Sequence, residues 1–483
     1  MNFARDVVDA APAGDRALVE ITREGDRREW TFGEVADASA RLAGTLVARG
    51  VTRGDVVMTL IGNRPEWVLT MVACFRIGAV ALPCNEQLRA KDLRQRLDAA
   101  QPRLVVADAR NTGELEAAGV DGHGEPAVIL IPDAALLDAA PVAAVDLAAT
   151  DPCLITFTSG TTGEAKGIVH GQRYLPGQRL QATHWLGGRA GDLVWCTAAS
   201  GWSKSARNVF IAPWLTGAAA LVHDARFDPA QRLEILAAER VNVLCMAPTE
   251  YRVIAKRVAL GPVSSLHGLV AAGEALNPEV LRAFQEATGI EIRDGYGQTE
   301  TGQLTGVPAG GAVRPGSMGR PLPGVALEVD DGELVLADPR TDPTFFVATL
   351  GGAPSPEDRP WRTGDRVTAD EDGYLYFEGR TDDVIISAGY RIGPFEVESA
   401  LVSHGAVAEA AVVAAPDDER GTIVRAVVVL RDGYSPSQEL VAELQDHVKL
   451  QTAPYKYPRI VDFATDLPKT ASGKVQRAVL RGA

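Results

Sequence analysis

The sequence predicts an α/β fold: a large N-terminal domain of layered α/β subdomains with a small β-rich subdomain, followed by a small α+β C-terminal domain. Helical and strand signals alternate through the first half, which favours parallel strands covered by helices. Between residues 314 and 376 Gly and Pro become frequent and apolar runs shorten, as in a β-rich subdomain. Because domains average roughly 100–200 residues, a chain of 483 residues is too long for one hydrophobic core.

In the first half, cap residues mark where helices begin. Thr31 and Glu34 have the spacing of a capping box, which predicts a helix that ends near Gly50. Asn63 is the predicted cap of the next helix, and Pro65 falls in its first turn, where the missing N–H costs little. Short apolar runs predict buried strands at residues 54–60 and 103–107.

The β-rich region predicts short elements and one excursion. Its apolar runs predict strands at residues 326–329 and 333–336. Residues 338–359 are rich in Pro, Asp, Thr and Gly, which predicts an irregular excursion. A domain boundary is predicted at residues 379–383.

The last hundred residues have helix and strand signals of their own. Pro394 begins one predicted helix, and Ser437 caps another. The apolar face of the second helix consists of Leu440, Leu444 and Val448. Strands are predicted at residues 407–414 and 423–430. The sequence shows no internal repeat and no low-complexity tract.

The charge of the chain limits its partners. The formal net charge is -15, which argues against nucleic acid or an anionic membrane surface as the main partner. No run of about 18 apolar residues is present, so no transmembrane helix is predicted. The N-terminus has no charged stretch followed by a long apolar run, so it does not resemble a signal peptide.

The five cysteines form no CxxC pair, and most lie in apolar runs. They are Cys74, Cys84, Cys153, Cys196 and Cys245. This pattern predicts buried thiols in a reducing compartment and makes metal ligation a much weaker interpretation. The expected location is the cytoplasm.

A strand at residues 154–157 runs into a segment rich in Gly, Thr and Ser that ends at Lys166. Glycines let the backbone turn tightly beside a ligand, hydroxyl and N–H groups donate to phosphate oxygens, and the lysine adds charge. The GxxxxGK[ST] pattern of a Walker loop is absent. Composition alone would fit a surface turn equally well, but the full string favours phosphate binding. The predicted phosphate-binding residues are Thr158, Ser159, Gly160, Thr161, Thr162, Gly163, Glu164, Ala165 and Lys166.

This string resembles the signature of the adenylate-forming superfamily, which includes acyl-CoA synthetases, adenylation domains and luciferases. Ala165 stands where proline is usual, which should loosen the loop without removing a ligand group. Further strings match the superfamily in order and spacing. The resemblance implies adenine or nucleotide contacts for Gly273, Glu274, Ala275, Asp294, Gly295, Tyr296, Gly297 and Gln298.

The same resemblance assigns the reacting groups. Tyr296 would stack on adenine, Thr299 would lie near the α-phosphate and the carboxylate, and Glu300 would take part in Mg²⁺ binding. Asp365 would accept hydrogen bonds from the ribose hydroxyls. The remaining implied contacts are Arg380 to the nucleotide and Lys474, whose charge would stabilise the adenylation step. The implied catalytic residues are Lys474, Thr299 and Glu300, and a lysine acetyltransferase acting on Lys474 is a possible partner.

Within the superfamily, the C-terminal strings are similar to the medium-chain acyl-CoA synthetase branch. Residues 387–398, 452–459, 272–278 and 201–205 show the likeness. The CoA contacts that it implies are Gln87, Ala388, Gly389, Tyr390, Arg420, Lys449, Tyr457, Pro458 and Arg459, and Arg391 is a further implied binding residue. The resemblance also implies a mobile C-terminal domain. It divides the chain into residues 1–381 and 382–483, with a hinge near Asp382.

The acyl pocket is predicted from Trp202, Gly297 and Thr299, with Trp214 as a further candidate. Acetyl-CoA synthetases carry tryptophan at the position of Gly297, so glycine is expected to leave that volume open. This favours acids of about four to eight carbons, or an aryl acid, over acetate, because each buried methylene contributes roughly 0.8 kcal/mol. It also predicts that Gly297→Trp shifts the preference back to short acids.

The predicted function is an ATP-dependent acyl-CoA synthetase that acts through an acyl-AMP on a medium-chain, branched or aromatic carboxylic acid. Mg²⁺ is the implied cofactor, and ATP, CoA and the acid are the implied partners. One alternative is an aryl-CoA ligase or an adenylating enzyme that loads a carrier protein. Another is a nucleotide-binding regulator without catalysis.

Overall fold

Two large sheets form the body of the first 380 residues. The computed structural model describes residues 1–120, 122, 124, 126–158, 166–273, 276, 278–388, 390–417, 419–469 and 475–482. The strands of the first sheet are β1 (Arg16–Ile21), β2 (Arg27–Thr31), β9 (Leu193–Cys196), β10 (Ala219–His223), β11 (Val243–Met246), β12 (Gly268–Ala272), β13 (Ile292–Gln298), β14 (Gly302–Gly306) and β15 (Arg320–Pro321). Those of the second are β3 (Val56–Leu60), β4 (Val80–Cys84), β5 (Leu104–Asp108), β6 (Ala127–Ile131), β7 (Pro152–Thr158), β8 (Lys166–Gly171) and β18 (Ala348–Thr349).

Both sheets are parallel in the centre; the first is antiparallel at both edges and the second at one. Among the described residues, the first sheet has the order β15-β14-β13-β12-β11-β9-β10-β1-β2 and the second β18-β8-β7-β4-β3-β5-β6. The antiparallel pairs are β1–β2, β13–β14 and β14–β15 in the first sheet, and β7–β8 and β8–β18 in the second. In such sheets ligands bind beyond the carboxyl ends of the parallel strands.

Helices fill the space between and around the sheets. They are α1 (Phe32–Ala48), α2 (Pro65–Ile77), α3 (Ala90–Ala100), α4 (Thr112–Ala117), α5 (Tyr174–Gly177), α6 (Arg179–Gln181), α7 (Ala212–Leu215), α8 (Pro229–Ala238), α9 (Pro248–Arg257), α10 (Pro278–Thr288), α11 (Pro394–Val402), α12 (Gln438–Gln451) and α13 (Arg477–Arg481). Short π-helices cover Ala4–Asp9, Ala182–Leu186 and Arg207–Ile211. Helix α2 is buried along almost its whole length, and its cluster joins core residues of both large sheets. The main core therefore lies between the sheets.

The first-half predictions are confirmed with one correction. Thr31 and Glu34 form the predicted capping box of α1. Asn63 does not cap α2, because Arg64 is the N-cap. The side chain of Asn63 instead bridges to the segment after β9, donating to the Ala198 carbonyl at 3.1 Å and accepting from the Ser200 N–H at 2.9 Å. Asparagine was expected to be a cap because its side chain often accepts from the first N–H groups of a helix, but the same side chain can also bridge two segments.

The β-rich subdomain is an antiparallel sheet with the order β16-β17-β19-β20 in the described residues. Its strands are β16 (Leu327–Asp330), β17 (Glu333–Leu336), β19 (Trp361–Ala369) and β20 (Leu375–Arg380). The excursion predicted at residues 338–359 is irregular only in part, because β18 within it pairs with β8. The excursion thus returns to the strand that follows the predicted phosphate loop.

The C-terminal residues form a separate α+β unit with its own core. Its strands are β21 (Ile385–Ser387), β22 (Tyr390–Ile392), β23 (Val407–Asp417), β24 (Gly421–Leu430) and β25 (Ile460–Ala464). As predicted, Ser437 caps α12, and Leu440, Leu444 and Val448 face the core. The layered α/β fold with a small α+β unit is confirmed, while the boundary at residue 382 remains a prediction.

The five cysteines are free and buried, as predicted. The described part of the chain contains no helix with the length and apolar character needed to cross a bilayer.

Candidate active site

The predicted phosphate loop is the connection of a β-hairpin. Strands β7 and β8 pair antiparallel, and Thr158 lies opposite Lys166. The ends of the loop are therefore held by the sheet. The predicted ligands Ser159, Gly160, Thr161, Thr162, Gly163, Glu164 and Ala165 lie outside the described residues.

Three segments far apart in the sequence meet at Asp365. The Tyr296 hydroxyl donates to Asp365 Oδ2 at 2.5 Å, and the Gln298 amide donates to the same oxygen at 2.8 Å. Arg380 Nη1 donates to Asp365 Oδ1 at 3.0 Å. Burial and the neighbouring Asp365 carboxylate raise the pKa of Tyr296, so the phenol stays protonated and can donate. These four residues are named the Asp365 cluster.

The backbone around Asp365 is fixed by the β-rich sheet. Thr363 Oγ1 donates to the Leu334 carbonyl at 2.7 Å and accepts from the Asp365 N–H at 3.1 Å. Gly364 has a φ of +70°, and a Cβ added there would lie 2.9 Å from Arg380 Nη2. Glycine is therefore needed for the turn and for the approach of the guanidinium.

The Thr299–Glu300 turn is supported by the excursion after β17, which the sequence did not identify as part of the site. The Phe346 N–H donates to the Glu300 carbonyl at 2.8 Å. Thr344 Oγ1 lies 2.6 Å from the Thr301 carbonyl oxygen and 2.7 Å from Asp342 Oδ1. The Thr344 N–H also donates to Asp342 Oδ1, at 2.8 Å. Burial raises the pKa of Asp342 to about 7, and the hydrogen bonds from Thr344 act in the opposite direction.

The same excursion also contacts the phosphate hairpin. Strand β18 pairs with β8, and the Leu350 N–H donates to the Gly167 carbonyl at 2.8 Å. One segment therefore braces both the hairpin that ends at Lys166 and the turn that carries Glu300. No motif marks this segment in the sequence, since its contribution is made through backbone groups and one hydroxyl.

Glu300 suits a cation-binding role. Burial raises the pKa of its carboxyl, and Arg380 and Lys166 act in the opposite direction. A divalent cation beside this carboxylate would offset its desolvation. Mg²⁺ is usually bound by one or two carboxylates together with substrate phosphates, so a single carboxylate beside a phosphate loop fits that ion.

Strand packing gives a reason for glycine at position 297, and the predicted effect of Gly297 on the acyl pocket stays a prediction. A Cβ added to Gly297 would lie 1.8 Å from the Gly302 carbonyl oxygen. Gly297 lies on β13 where the register with β14 shifts, so the two backbones approach too closely for a side chain. Strand packing is therefore sufficient by itself to require glycine here.

Gly295 also has a packing reason to be glycine. A Cβ at this position would lie 2.3 Å from Gln303 Nε2 and 2.7 Å from the indole nitrogen of Trp185, which is fully buried. Asp294 is buried and accepts a hydrogen bond from the Gly295 N–H. Both residues lie next to Tyr296 on β13.

The other predicted pocket residues have different surroundings. Trp214 belongs to the core, because its indole N–H donates to the Ala17 carbonyl at 2.9 Å and its ring packs on Phe32 and Phe210. Trp202 is half-buried, two residues before Lys204. The Lys204 ammonium donates to the Ala272 carbonyl at 3.1 Å.

Lys204 was not predicted to be a site residue, although the string that contains it was noted. A cavity of about 10 Å³ adjoins it, which is room for one water-sized group. The residues that line this cavity are Cys196, Ala198, Lys204, Asn208, Cys245, Met246, Ala247 and Ala272. A Cβ added to Gly273 would lie 3.3 Å from Lys204 Nζ, so this lysine borders the segment predicted to run along the nucleotide. Glu274 and Ala275 lie outside the described residues.

The predicted CoA residues fall into separate groups. Tyr457 contacts two cations, with Lys449 Nζ at 4.5 Å and the Arg459 guanidinium at 4.8 Å from its ring centroid. Tyr390 stacks on Tyr455, with ring centroids 4.3 Å apart. The remaining described members are Gln87 and Arg420, which are exposed, Pro458, Arg391 on β22, and Ala388, whose N–H donates to the Arg420 carbonyl. Gly389 lies outside the described residues. The backbone N–H of Gln87 donates to Asn85 Oδ1 at 2.8 Å.

Lys474 also lies outside the described residues, but both flanks of its loop are described. Lys469 and Val475 form an antiparallel bridge, and the Gln476 N–H donates to the Pro468 carbonyl at 2.8 Å. Asp382 lies in an exposed turn, and its carboxylate is 3.7 Å from Arg380 Nε.

Comparison with known proteins agrees with this architecture. Residues 5–340 match the family of AMP-binding enzymes, and residues 396–474 match the AMP-binding enzyme C-terminal domain. An uncharacterized acyl-CoA ligase, YtcI, from Bacillus subtilis (strain 168) is 38% identical over 508 residues, covering 99% of this chain and 95% of the relative. The mitochondrial acyl-coenzyme A synthetase ACSM4 of Mus musculus is 38% identical over 521 residues, covering 99% and 90%.

A solved structure gives the same result. The anthranilate CoA ligase AuaEII in complex with anthranoyl-AMP superimposes with a TM-score of 0.88 at 28% identity, covering 100% of this chain and 97% of that one. These similarities extend over the whole length of the chain. They confirm the predicted superfamily and the likeness to the acyl-CoA synthetase branch.

Proposed function

The chain belongs to the AMP-binding enzyme family, and we propose that it is an ATP-dependent acyl-CoA synthetase. It activates a carboxylic acid as its acyl-adenylate and then forms the acyl-CoA thioester, with release of pyrophosphate and AMP. The observation that carries this proposal is the Asp365 cluster, in which Tyr296 and Arg380, 84 positions apart along the chain, both donate to the Asp365 carboxylate. We interpret this convergence of polar side chains as a binding site for a ligand.

The Asp365 cluster supports recognition of a nucleoside. A carboxylate can accept two hydrogen bonds from neighbouring hydroxyls, which is the geometry of a ribose diol. In the proposed complex the diol takes lone pairs now used by the Tyr296 hydroxyl and the Gln298 amide. The Tyr296 ring then presents its face to adenine, and Arg380 stays beside the nucleotide.

In the first step a carboxylate oxygen of the acid attacks the α-phosphorus of ATP, and pyrophosphate leaves. Catalysis by the chain is mainly positioning and charge neutralisation. Thr158 and Lys166 hold the hairpin that carries the phosphate loop, Thr299 lies beside the reacting groups, and Lys474 supplies positive charge to the developing anion. Mg²⁺ at Glu300, when bound, neutralises phosphate charge.

In the second step the thiol of CoA attacks the carbonyl of the adenylate. The acyl–phosphate bond breaks, AMP leaves, and the thiol proton passes to solvent. Ala388, Gly389, Tyr390, Arg391, Arg420, Lys449, Tyr457, Pro458 and Arg459, with Gln87, are the proposed CoA contacts. The cationic and aromatic character of the Tyr457 group suits phosphates and an adenine ring.

The two steps use two orientations of the small domain in this proposal. Residues 1–381 form the large domain and residues 382–483 the small one, with Asp382 as the hinge. The exposed turn at Asp382 agrees with this role. Asp382→Pro should spare adenylation and lower thioester formation, because proline restricts φ at the hinge. Equal loss of both half-reactions would refute the hinge.

The acid is proposed to be medium-chain, branched or aromatic. Likeness to an anthranilate CoA ligase supports an aryl acid, while strand packing gives glycine at position 297 a reason other than acyl chain length. A reducing compartment, here proposed to be the cytoplasm, suits five free thiols. A lysine acetyltransferase that neutralises Lys474 would switch off adenylation.

The test is a panel of linear, branched and aromatic acids, assayed with ATP for pyrophosphate and with CoA added for AMP and the thioester. Thioester formation with free CoA supports the proposal. Adenylation that requires a carrier protein for transfer would favour the carrier-loading alternative, and nucleotide binding without pyrophosphate release would favour a regulator. Lys474→Ala should abolish adenylation, whereas Lys256→Ala, an exposed lysine on α9, should not.

A further inference from the structure

The loop that contains Lys474 is anchored on both sides by the small domain. Before the loop, Leu467 is buried against Ala411, Val413 and Val427, and Val475 packs on the same cluster after it. The bridge between Lys469 and Val475 closes the loop like the end of a hairpin. The described residues on the two sides of the loop therefore form a short stem that is anchored in this cluster.

The first charged anchor after the loop is Arg477, three residues beyond Lys474. Its Nη2 donates to both carboxylate oxygens of Glu398, each at 2.8 Å. Glu398 lies on α11 and also accepts from the Val412 N–H at 2.8 Å. The loop stem is thus tied to a helix and to strand β23 through one carboxylate.

The ion pair between Arg477 and Glu398 is largely buried. The side chain of Glu398 is 12% exposed and that of Arg477 is 25% exposed. Burial raises the pKa of Glu398, and Arg477 and the Val412 N–H act in the opposite direction. Removing one member of such a pair leaves a desolvated charge, which is far more costly than loss of a surface ion pair.

The same arginine reaches towards the predicted hinge. Arg477 Nη1 lies 3.7 Å from Asp383 Oδ2, and Arg481 of the same helix also pairs with Asp383. The Asp383 N–H donates to the Arg380 carbonyl at 3.0 Å. A continuous set of contacts therefore runs from the stem of the Lys474 loop to the residue after Asp382 and on to the Asp365 cluster.

We propose that Arg477 and Glu398 are positioning residues for adenylation, which hold the described stem of the Lys474 loop, residues 467–469 and 475–477, relative to the hinge turn. This inference rests on the proposed function of Lys474. The pair touches neither the acid nor the nucleotide in this proposal, and it acts only through the loop. Its loss should therefore affect the half-reaction that needs Lys474 and leave the other.

The test measures the half-reactions separately in the full-length protein, with the best acid of the panel. Glu398→Gln keeps the shape and can still accept from Val412, but it removes the charge that holds Arg477. Pyrophosphate release should fall by about 10- to 100-fold in kcat, because small misplacements of a catalytic group have effects of this size. The KM for ATP should change little. Thioester formation from the supplied acyl-adenylate and CoA should stay within about threefold, since Lys474 is not used there.

The control is Glu443→Gln, which alters an exposed carboxylate in the same domain that pairs with His404. It should leave both half-reactions unchanged. Hydrogen exchange of peptides covering residues 467–481 should increase in Glu398→Gln and not in the control. If Glu398→Gln fails to fold, Arg477→Lys, which keeps the charge and loses the paired contact, is measured in the same way.

An equal fall in both half-reactions, or no change in either, would overturn the inference. Failure of the proposed function would look different. The wild-type protein would release no pyrophosphate with any acid, or Lys474→Ala would adenylate normally. A selective loss of adenylation in Glu398→Gln or Arg477→Lys, beside an active wild type, supports the positioning role.

Discussion

The large and small domains each hold an arginine against a carboxylate with little exposed surface, but the two pairs have different surroundings. Asp365 faces Arg380 and also the hydroxyl of Tyr296 and the amide of Gln298, which are groups that a nucleoside can displace. Glu398 faces Arg477 and a backbone N–H of β23. The Asp365 carboxylate therefore contacts side-chain groups that a nucleoside could displace, whereas the Glu398 carboxylate contacts an arginine and a backbone N–H that stay part of the protein fold.

This difference shows that the same pair of residue types can serve binding in one place and positioning in another. In the large domain the four members of the Asp365 cluster contact one another directly. The small domain provides a loop whose stem is fixed by packing and one buried ion pair. The large domain's half of the proposed site is therefore built from side chains that contact each other, whereas the small domain's half depends on how one loop is held.

The sharpest way to break the comparison is Asp365→Asn. The amide keeps the shape but has only one acceptor oxygen and no charge, so kcat/KM for ATP should fall by about 100-fold or more, since hydrogen bonds to charged groups are each worth about 1.5–3 kcal/mol. Pyrophosphate release at varied ATP measures this. Asp330→Asn, which alters an exposed partner of Arg362 in the same subdomain, is the control. Equal effects of the two variants would contradict a binding role for Asp365.

A second change tests how tightly the strands beside the proposed site pack in the large domain. Gly297→Ala puts a Cβ against the Gly302 carbonyl, so the free energy of unfolding should fall by about 1–3 kcal/mol. Urea unfolding followed by tryptophan fluorescence measures it. Gly113→Ala, where a Cβ on α4 meets nothing within 4 Å, should not destabilise. A stable Gly297→Ala variant that prefers shorter acids would favour the predicted role of Gly297 in leaving the acyl pocket open.

The smallest expected effect concerns pH. Burial raises the pKa of Asp342 from 3.8 to about 7, so between about pH 4 and pH 7 the folded chain holds a proton that the unfolded chain has lost. Stability contributed by this carboxyl is therefore present at low pH and is lost as pH rises through about 7. The melting temperature of the wild type minus that of Asp342→Asn should be larger at pH 5 than at pH 8. A constant difference between the two proteins would contradict protonation of Asp342.

The Asp342 carboxyl contacts the hydroxyl and the backbone N–H of Thr344, whereas the Glu398 carboxylate contacts an arginine. This experiment therefore also compares a buried carboxyl that has no cationic hydrogen-bond donor among these contacts with one that has.

Much of the fold followed from local patterns. The capping box at Thr31 and the cap at Ser437 were predicted and are present, because both depend on contacts within one helical turn. The cap at Asn63 was wrong, since its side chain is used in a contact with residues 198–200 that no local pattern reveals. The same distinction applies to the site, where motif residues were identified and their supports at Asp342 and Thr344 were not.

The alternation of helices and strands, the family motifs and the residue types that suit a nucleotide and a cation could all be predicted from the amino-acid sequence. Those properties are local, since a motif or a cap is complete within a few neighbouring residues. The three-dimensional arrangement was needed to see that Tyr296, Gln298 and Arg380 meet at Asp365, and that strand packing leaves no room for a side chain at Gly297. Contacts between distant segments depend on how the sheets pack and on the space left between backbones, and no short stretch of residues encodes either.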